Sequence, residues 1–119
     1  MRHDDRVFIA HMIEFARKAH QRVAQRRRDE LEANEDLQLQ LYALIERIGE
    51  AATHVRAAFR EQHPEVPWQD IVGMRHKLIH DYLEIDLDVV WKAAKDDAPE
   101  LVRLLSPLVP PEWLESADT

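Results

Sequence analysis

Side chains capable of proton transfer and charge stabilisation concentrate in one stretch of the chain, Gly73–Asp86, which reads GMRHKLIHDYLEID. A guanidinium, two imidazoles and a phenol lie close together there, a density that a purely structural helix does not need: Arg75, His76, His80 and Tyr82. Histidine exchanges a proton near neutral pH, and arginine keeps a planar positive charge that can stabilise developing negative charge. This stretch is therefore the candidate site.

The spacing of these residues constrains how they can meet. On an α-helix turning about 100° per residue, His76 and His80 share a face, whereas Arg75 and His80 diverge by about 140°. Arg75 and Tyr82 realign to within about 20° if the helix persists. Arg75 and His80 can therefore converge on one substrate only if the helix ends near Ile79–Asp81, or if a second copy of the chain supplies one of them.

The apolar pattern around this stretch predicts an all-α fold, an up-and-down bundle of four to five helices, with no strand. A polar loop is expected at Asp29–Asp36. The small residues Gly49, Ala51 and Ala52 beside the apolar seam of the second helix favour close approach of a neighbouring helix. The predicted helices are Asp5 to about Arg28 capped by Asp4 or Asp5, Leu37 to Phe59, about Trp68 to Ile79, one capped by Asp86, and a last short segment starting at Pro99.

Length and composition narrow the function classes. The 119 residues fit a single domain, 1–119, and the absence of cysteine excludes thiolate zinc sites and cysteine nucleophiles. With two glycines there is no Gly-rich phosphate loop, and no stretch approaches the ~20 apolar residues of a membrane span. The net charge of −7 divides into +1 over residues 1–60 and −8 over residues 61–119. We therefore expect a cytoplasmic protein with no membrane partner and no DNA binding of its own.

The motif Arg75-x4-His80-x-Tyr82 matches the RX4HXY signature of HepT toxins, a group within the HEPN superfamily of small helical ribonucleases. The resemblance extends from Leu37 to about Leu105. It includes ERIGEAATHV (Glu46–Val55) and HPEVPWQDIVGMRHKLIHDYLEIDLDVVW (His63–Trp91), which is similar to the most characteristic block of the family. RX4H alone is a weak pattern, but RX4HXY after PWQDIVGMR is specific.

The resemblance implies a homodimer whose motif helices face each other across a two-fold cleft. It also implies a metal-independent endoribonuclease without a cofactor, in which Arg75 and His80 are the catalytic pair. RNA supplies its own nucleophile in the 2′-hydroxyl, so the enzyme needs only a proton carrier and a cation. The expected products carry a 2′,3′-cyclic phosphate and a 5′-hydroxyl. His76 and Asp81 are candidate supporting residues.

The resemblance also gives Tyr82 a role. In HepT systems the antitoxin is a minimal nucleotidyltransferase of the MNT type, which forms a hetero-oligomer with the toxin and attaches AMP to the motif tyrosine. Each AMP adds a phosphate charge and a bulky group beside the cleft, so it would repel and obstruct RNA. The alternative is a tyrosine that packs its ring and hydrogen-bonds its hydroxyl.

Other interpretations stay open at this stage. The chain can instead be a non-catalytic HEPN-type module that binds a nucleotidyltransferase or a nucleotide. His76 and His80 have the i, i+4 spacing of metal ligands, although the HExxH pattern is missing. Glu46 and Glu50 share a helix face, either as a carboxylate site or, more simply, as surface charges or partners for Arg47 or for an arginine across an interface.

Overall fold

Two long antiparallel helices, α1 (Asp5–Val23) and α3 (Glu35–Thr53), form the frame of the protein. The computed structural model describes residues 3–80 and 84–115. Asp4 accepts a hydrogen bond from the Arg6 N–H and Asn34 accepts one from the Leu37 N–H, so each helix begins at a side-chain cap. The two apolar stripes pack against each other through buried residues that include Ile9, Met12, Ile13, Ala16, Ile48, Ala51 and Ala52.

Shorter elements complete the chain, and the predicted all-α class is confirmed. Two strands of two residues each form a small antiparallel ladder, so the expectation of no strand is wrong at this point. The elements are α2 (Arg28–Glu32), α4 (Ala57–Gln62), α5 (Trp68–Gly73), a 3-10 turn (Met74–His76), β1 (Ile79–His80), β2 (Glu84–Ile85), α6 (Leu87–Lys92), a π-helical turn (Ala93–Asp97), α7 (Ala98–Leu105), a 3-10 turn (Ser106–Leu108) and α8 (Glu112–Glu115).

Helical backbone runs without interruption from α6 through the π-helical turn into α7, so the last two predicted segments are joined. The expected cap is confirmed, because the Asp86 carboxylate accepts from the Val89 N–H at 3.2 Å. The Ala98 N–H bonds to the carbonyl of Ala93, five residues back. Pro99 has no N–H, and its ring crowds the carbonyl four residues earlier, which explains why the helix widens just before it rather than ending.

The first helix ends five residues earlier than the pattern predicts, at Val23 instead of about Arg28. The Lys95 ammonium donates to the carbonyls of Val23 and Ala24, both at 3.2 Å, and so satisfies the end of α1. The expected loop at Asp29–Asp36 is wrong for most of its length, because its first four residues lie in α2 and its last two begin α3. Leu31 is fully buried in the core and holds this stretch against the bundle.

The second predicted helix is divided into α3 and α4. The N–H of Arg56 donates to the Asp5 carboxylate at 2.9 Å instead of continuing the helix. The Arg60 guanidinium donates to the carbonyls of Ala52 at 2.6 Å and Val55 at 3.0 Å, which satisfies the end of α3. Phe59 therefore lies on α4, across a break that Asp5 and Arg60 stabilise.

Asp5 is a buried carboxylate that ties the start of α1 to this break, and its substitution should weaken the fold in a pH-dependent way. Burial raises its pKa, but hydrogen bonds from the Arg56 N–H, His3 and the Arg56 side chain outweigh burial and leave the pKa below its ordinary value of 3.8. A carboxylate with a lowered pKa stabilises the folded state above its unfolded-state pKa, and this contribution is lost as the pH falls through the folded-state pKa.

We expect Asp5→Asn to lower the free energy of unfolding by about 1–2 kcal/mol at pH 7. The difference from the wild type should shrink steadily below about pH 4. Urea unfolding at pH 7 and at pH 3 measures both values, with Asp96→Asn at an exposed position as the matched control. If the difference in the free energy of unfolding between wild type and variant is the same at pH 7 and pH 3, the charge of Asp5 does not stabilise the fold.

Candidate functional site

The turn that carries the motif is held by contacts far along the chain. α5 ends at Gly73 and the chain continues as a 3-10 turn, so the predicted helix to Ile79 is wrong. Gly73 has ordinary helical backbone angles and does not stop the helix. Instead, Leu78 is fully buried in a core cluster with residues of α3 and α6, and its carbonyl accepts from the Asp86 N–H at 2.8 Å. Burial of Leu78 therefore redirects the backbone.

His80 lies in the backbone of β1, opposite Glu84, and Ile79 lies opposite Ile85. Asp81 and Tyr82 follow His80 in the sequence and are outside the described residues. The helix ends before His80, and earlier than the expected position near Ile79–Asp81, so Arg75 and His80 do not lie on one continuous helix. Arg75 lies on the 3-10 turn, His80 lies in the strand, and the buried Leu78 stands between them.

The Arg75 side chain lies across α3 and ends in an ion pair. Its Nη1 donates to the Oε2 of Glu50 at 2.7 Å, and 34% of the side chain is exposed. Gly49 makes this path available: a Cβ at that position would lie 2.8 Å from Cδ and 2.9 Å from Cγ of Arg75. The close approach expected at Gly49 is thus that of one arginine side chain, together with the Ile71 carbonyl at 3.3 Å.

Glu50 connects Arg75 to His54, which lies one turn further along the same helix face, at the C-cap of α3. Its second oxygen, Oε1, lies 3.4 Å from the Nε2 of His54. The interpretation of Glu50 as the partner of an arginine is correct in kind, but that arginine is Arg75 of the same chain. Glu46 instead hydrogen-bonds Tyr42, which raises the pKa of the tyrosine.

The sequence singled out Glu50 as a candidate partner of an arginine but did not connect it with Arg75 of the motif. The residue sits in the segment Glu46–Val55 that carries the family resemblance, but nothing in the helical periodicity connects it with a residue 25 positions later. The sequence feature that indicates a close contact at this point of the helix is the neighbouring Gly49. A glycine within a helix costs stability, so its presence indicates that something must approach the backbone closely.

The structure removes the basis for grouping His76 with His80. His76 is exposed on the 3-10 turn, and the backbone beyond it is extended by Ile79. The shared helix face on which the metal-ligand spacing depended does not exist here. His76 instead lies next to Arg75 at the surface of the turn, where it is accessible to a ligand.

A groove of about 360 Å³ lies beside the same turn, between α3, α5 and the helix that runs from α6 to α7. Its apolar floor includes Ile48, Ile71, Met74, Leu101 and Leu104. The charged groups at its rim are the ammonium groups of two lysines and three carboxylates: Lys77, Lys92, Asp70, Asp97 and Glu100. The Lys92 ammonium is bonded to the Asp97 carboxylate at 2.9 Å. This rim does not favour an anionic ligand.

Several relatives that match this chain are named as ribonucleases. "Probable ribonuclease HepT" of Thermococcus cleftensis is 46% identical over 57 residues, which are 48% of this chain and 52% of that protein. A candidate RNase of Methanocaldococcus jannaschii is 46% identical over 63 residues, 50% of this chain and 58% of that protein. A candidate RNase of Caldanaerobacter subterraneus is 38% identical over 68 residues, 57% of this chain and 61% of that protein.

The chain thus matches somewhat more than half the length of these relatives. No solved structure matches it significantly. Among the described residues, no helix combines the length and the apolar character needed to cross a membrane. The sequence profile of the family described as "Ribonuclease HepT-like" matches residues 12–108, most of the chain. The chain belongs to the HepT-like ribonuclease family.

Proposed function

We propose that this chain is a metal-independent endoribonuclease, the toxin of a toxin–antitoxin pair, in which Arg75 and His80 are the catalytic residues. The observation that carries the proposal is the position of Arg75. Its guanidinium is held at the surface by Glu50, on a turn that is separated from the His80 backbone by one buried anchor, Leu78. The relatives named as ribonucleases support RNA as the substrate.

The proposed reaction uses the nucleophile that RNA carries. The 2′-oxygen attacks the adjacent phosphorus, the bond from phosphorus to the 5′-oxygen breaks, and a 2′,3′-cyclic phosphate and a 5′-hydroxyl result. His80 takes the proton of the 2′-hydroxyl, and a proton returns to the departing 5′-oxygen. Arg75 stabilises the negative charge that develops on the phosphate oxygens.

Glu50 acts as a positioning residue in this proposal. A guanidinium carries five N–H donors, and the bond to Glu50 uses Nη1, so a phosphate can bind the same guanidinium alongside it. The carboxylate holds a long, flexible side chain in one direction before RNA arrives, which lowers the entropy lost on binding. The exposed His76 next to Arg75 is a candidate phosphate ligand, and Asp81 is a candidate partner of the catalytic histidine.

Membership of the HepT-like family supports a proposal about regulation. We infer that a nucleotidyltransferase antitoxin forms a hetero-oligomer with a homodimer of this chain in the cytoplasm. The Tyr82 oxygen attacks the α-phosphorus of ATP, an ester bond to AMP forms, and pyrophosphate leaves. The added phosphate places negative charge two residues from His80 and opposes the binding of RNA.

Removal of the catalytic side chains should abolish cleavage without a change in fold. We expect His80→Ala and Arg75→Ala each to lower the rate of RNA cleavage at least about a hundredfold. The measurement is cleavage of total cellular RNA in EDTA, with circular dichroism and light scattering to confirm equal folding and equal mass.

Products that end in a 5′-phosphate, or wild-type activity that EDTA abolishes, would contradict this mechanism. If wild type and variants are all inactive and Tyr82 carries no AMP, the non-catalytic interaction module becomes the better explanation. His76→Ala provides a second comparison, because a phosphate ligand should change KM more than kcat.

The space at Gly49 gives a sharper test of the position of Arg75. We expect Gly49→Ala to lower kcat/KM about ten- to a hundredfold, because the new methyl group displaces the Arg75 side chain. The free energy of unfolding should change by less than about 1 kcal/mol, since the helix preference of alanine offsets the tight contact with the Ile71 carbonyl.

Gly73→Ala is the matched control. A Cβ at Gly73 meets nothing within 4 Å, so this substitution makes the same chemical change two residues from Arg75 without displacing it. Equal activity of the two alanine variants would show that the path of Arg75 over Gly49 does not matter for catalysis.

The role of Tyr82 is tested by co-expression. With the cognate nucleotidyltransferase we expect the Tyr82 peptide to gain the mass of one or more AMP units, and the modified protein to lose RNA cleavage. Tyr82→Phe should remain unmodified and should arrest growth in the presence of the antitoxin. A Tyr82 peptide that stays bare while the antitoxin still suppresses cleavage would assign the inhibition to binding alone.

A further inference from the structure

Three rings of α1, one side chain of α3 and the histidine that follows α3 form a continuous row at the surface, which we call the ring strip: Phe8, His11, Phe15, Arg47 and His54. His54 stacks on Phe8 with ring centroids 5.1 Å apart and an angle of 17° between the planes. His11 lies edge-on to Phe8 at 6.1 Å and 6.4 Å from Phe15, and the Arg47 guanidinium lies over Phe15 at 5.9 Å.

The ring strip lies at the surface, although the Phe8 ring is also contacted by His3, with ring centroids 5.2 Å apart. His11, Arg47 and His54 are exposed, and Phe8 and Phe15 are half-buried at the edge of the core. Flat rings that alternate with groups able to carry positive charge form a surface that suits nucleobases and their phosphates together. Nearby Glu14 is paired with Lys18 at 3.0 Å, so it adds no uncompensated negative charge.

The ring strip leads directly to the proposed catalytic site. His54 at one end lies 3.4 Å from Oε1 of Glu50, and Oε2 of the same carboxylate binds Arg75 at 2.7 Å. The strip runs from Phe8 to Phe15 along α1 and from Arg47 to His54 along the end of α3, which is seven residue steps in each case, about 10 Å. That length accommodates roughly three stacked bases at ~3.4 Å each. A strand lying along it would bring its next phosphate towards Arg75.

We propose that the ring strip is a binding track for single-stranded RNA, on which bases stack before the scissile phosphate reaches Arg75. This inference rests on the proposed ribonuclease function. A duplex is a poor occupant, because its base faces are already stacked on one another and are closed to protein rings. The groove beside the motif turn is also a poorer fit for RNA, since carboxylates outnumber ammonium groups at its rim.

Binding can be measured separately from cleavage in a His80→Ala background with EDTA. The probes are a fluorescein-labelled oligoadenylate of roughly 12 nucleotides and the same strand annealed to oligouridylate, followed by fluorescence anisotropy. We expect His54→Ala and Phe8→Leu each to raise the Kd for the single strand about tenfold, with little effect on the weaker binding of the duplex. His54 is exposed and Leu keeps the apolar bulk of Phe8, so both variants should fold.

The chain contains a matched control in a second ring pair. Phe59 and His63 on and after α4 have centroids 4.6 Å apart, and Phe59→Leu with His63→Ala should leave RNA affinity unchanged. Unchanged single-strand affinity in both strip variants would overturn the proposal, as would an equal loss of duplex affinity. A change in oligomeric mass by light scattering, with RNA affinity kept, would also overturn it and would assign the strip to a contact between copies of the chain.

These measurements distinguish an error in the proposed binding track from an error in the proposed ribonuclease function. If the chain with His80 intact cuts RNA while the strip variants bind the single strand as well as the parent, the track is wrong and the ribonuclease function stands. If the intact chain neither binds nor cuts RNA, the ribonuclease function fails and the track fails with it.

Discussion

α1 and α3 bury their apolar stripes against each other along most of their length, and the remaining elements take their positions from this pair. The contacts Phe8 with His54, Phe15 with Arg47 and Arg22 with Gln40 show one constant antiparallel register. The register sets which polar residues of α3 face α1 and which face the motif turn. The ring strip is therefore a consequence of this helix–helix contact, and a slip in it would separate Phe8, His11 and Phe15 from His54 and from Arg75.

The parts of the fold that the sequence predicts well are those with a local cause. Asp4 and Asp86 lie where a helix needs an acceptor, and apolar residues at helical spacing mark the buried faces of α1 and α3. The errors have non-local causes. The end of α5, the break after α3 and the end of α1 depend on Leu78, Asp5 and Lys95, each of which acts on backbone that is distant in sequence or packs into a distant core. A periodic pattern contains no information about such contacts.

The candidate site also combines features that the sequence predicts with features that depend on non-local contacts. Its reactive residues were identifiable as a cluster, because their types and their match to a family motif are properties of the sequence. Their arrangement was not, because the path of Arg75 depends on the missing side chain of Gly49 and on the carboxylate of Glu50. An exposed ion pair of this kind contributes little to stability, generally below about 1 kcal/mol. Its importance is geometric, since it fixes the direction of a charge that would otherwise move freely.

The π-helical turn between α6 and α7 sets the rotational position of the helix that follows it. One additional residue in a regular helix rotates everything after it by about 100°, whereas a π-helical turn takes up the additional residue in one wider turn. α6 buries Val90 in one core cluster and α7 buries Leu101 and Leu105 in the other, so each half must present a particular face. If Ala93–Asp97 formed a regular α-helix with no change in length, the apolar side chains of α7 would turn away from the core. Regular helical geometry would here be the defect, and loss of one residue from this segment should leave the buried face of α7 in place.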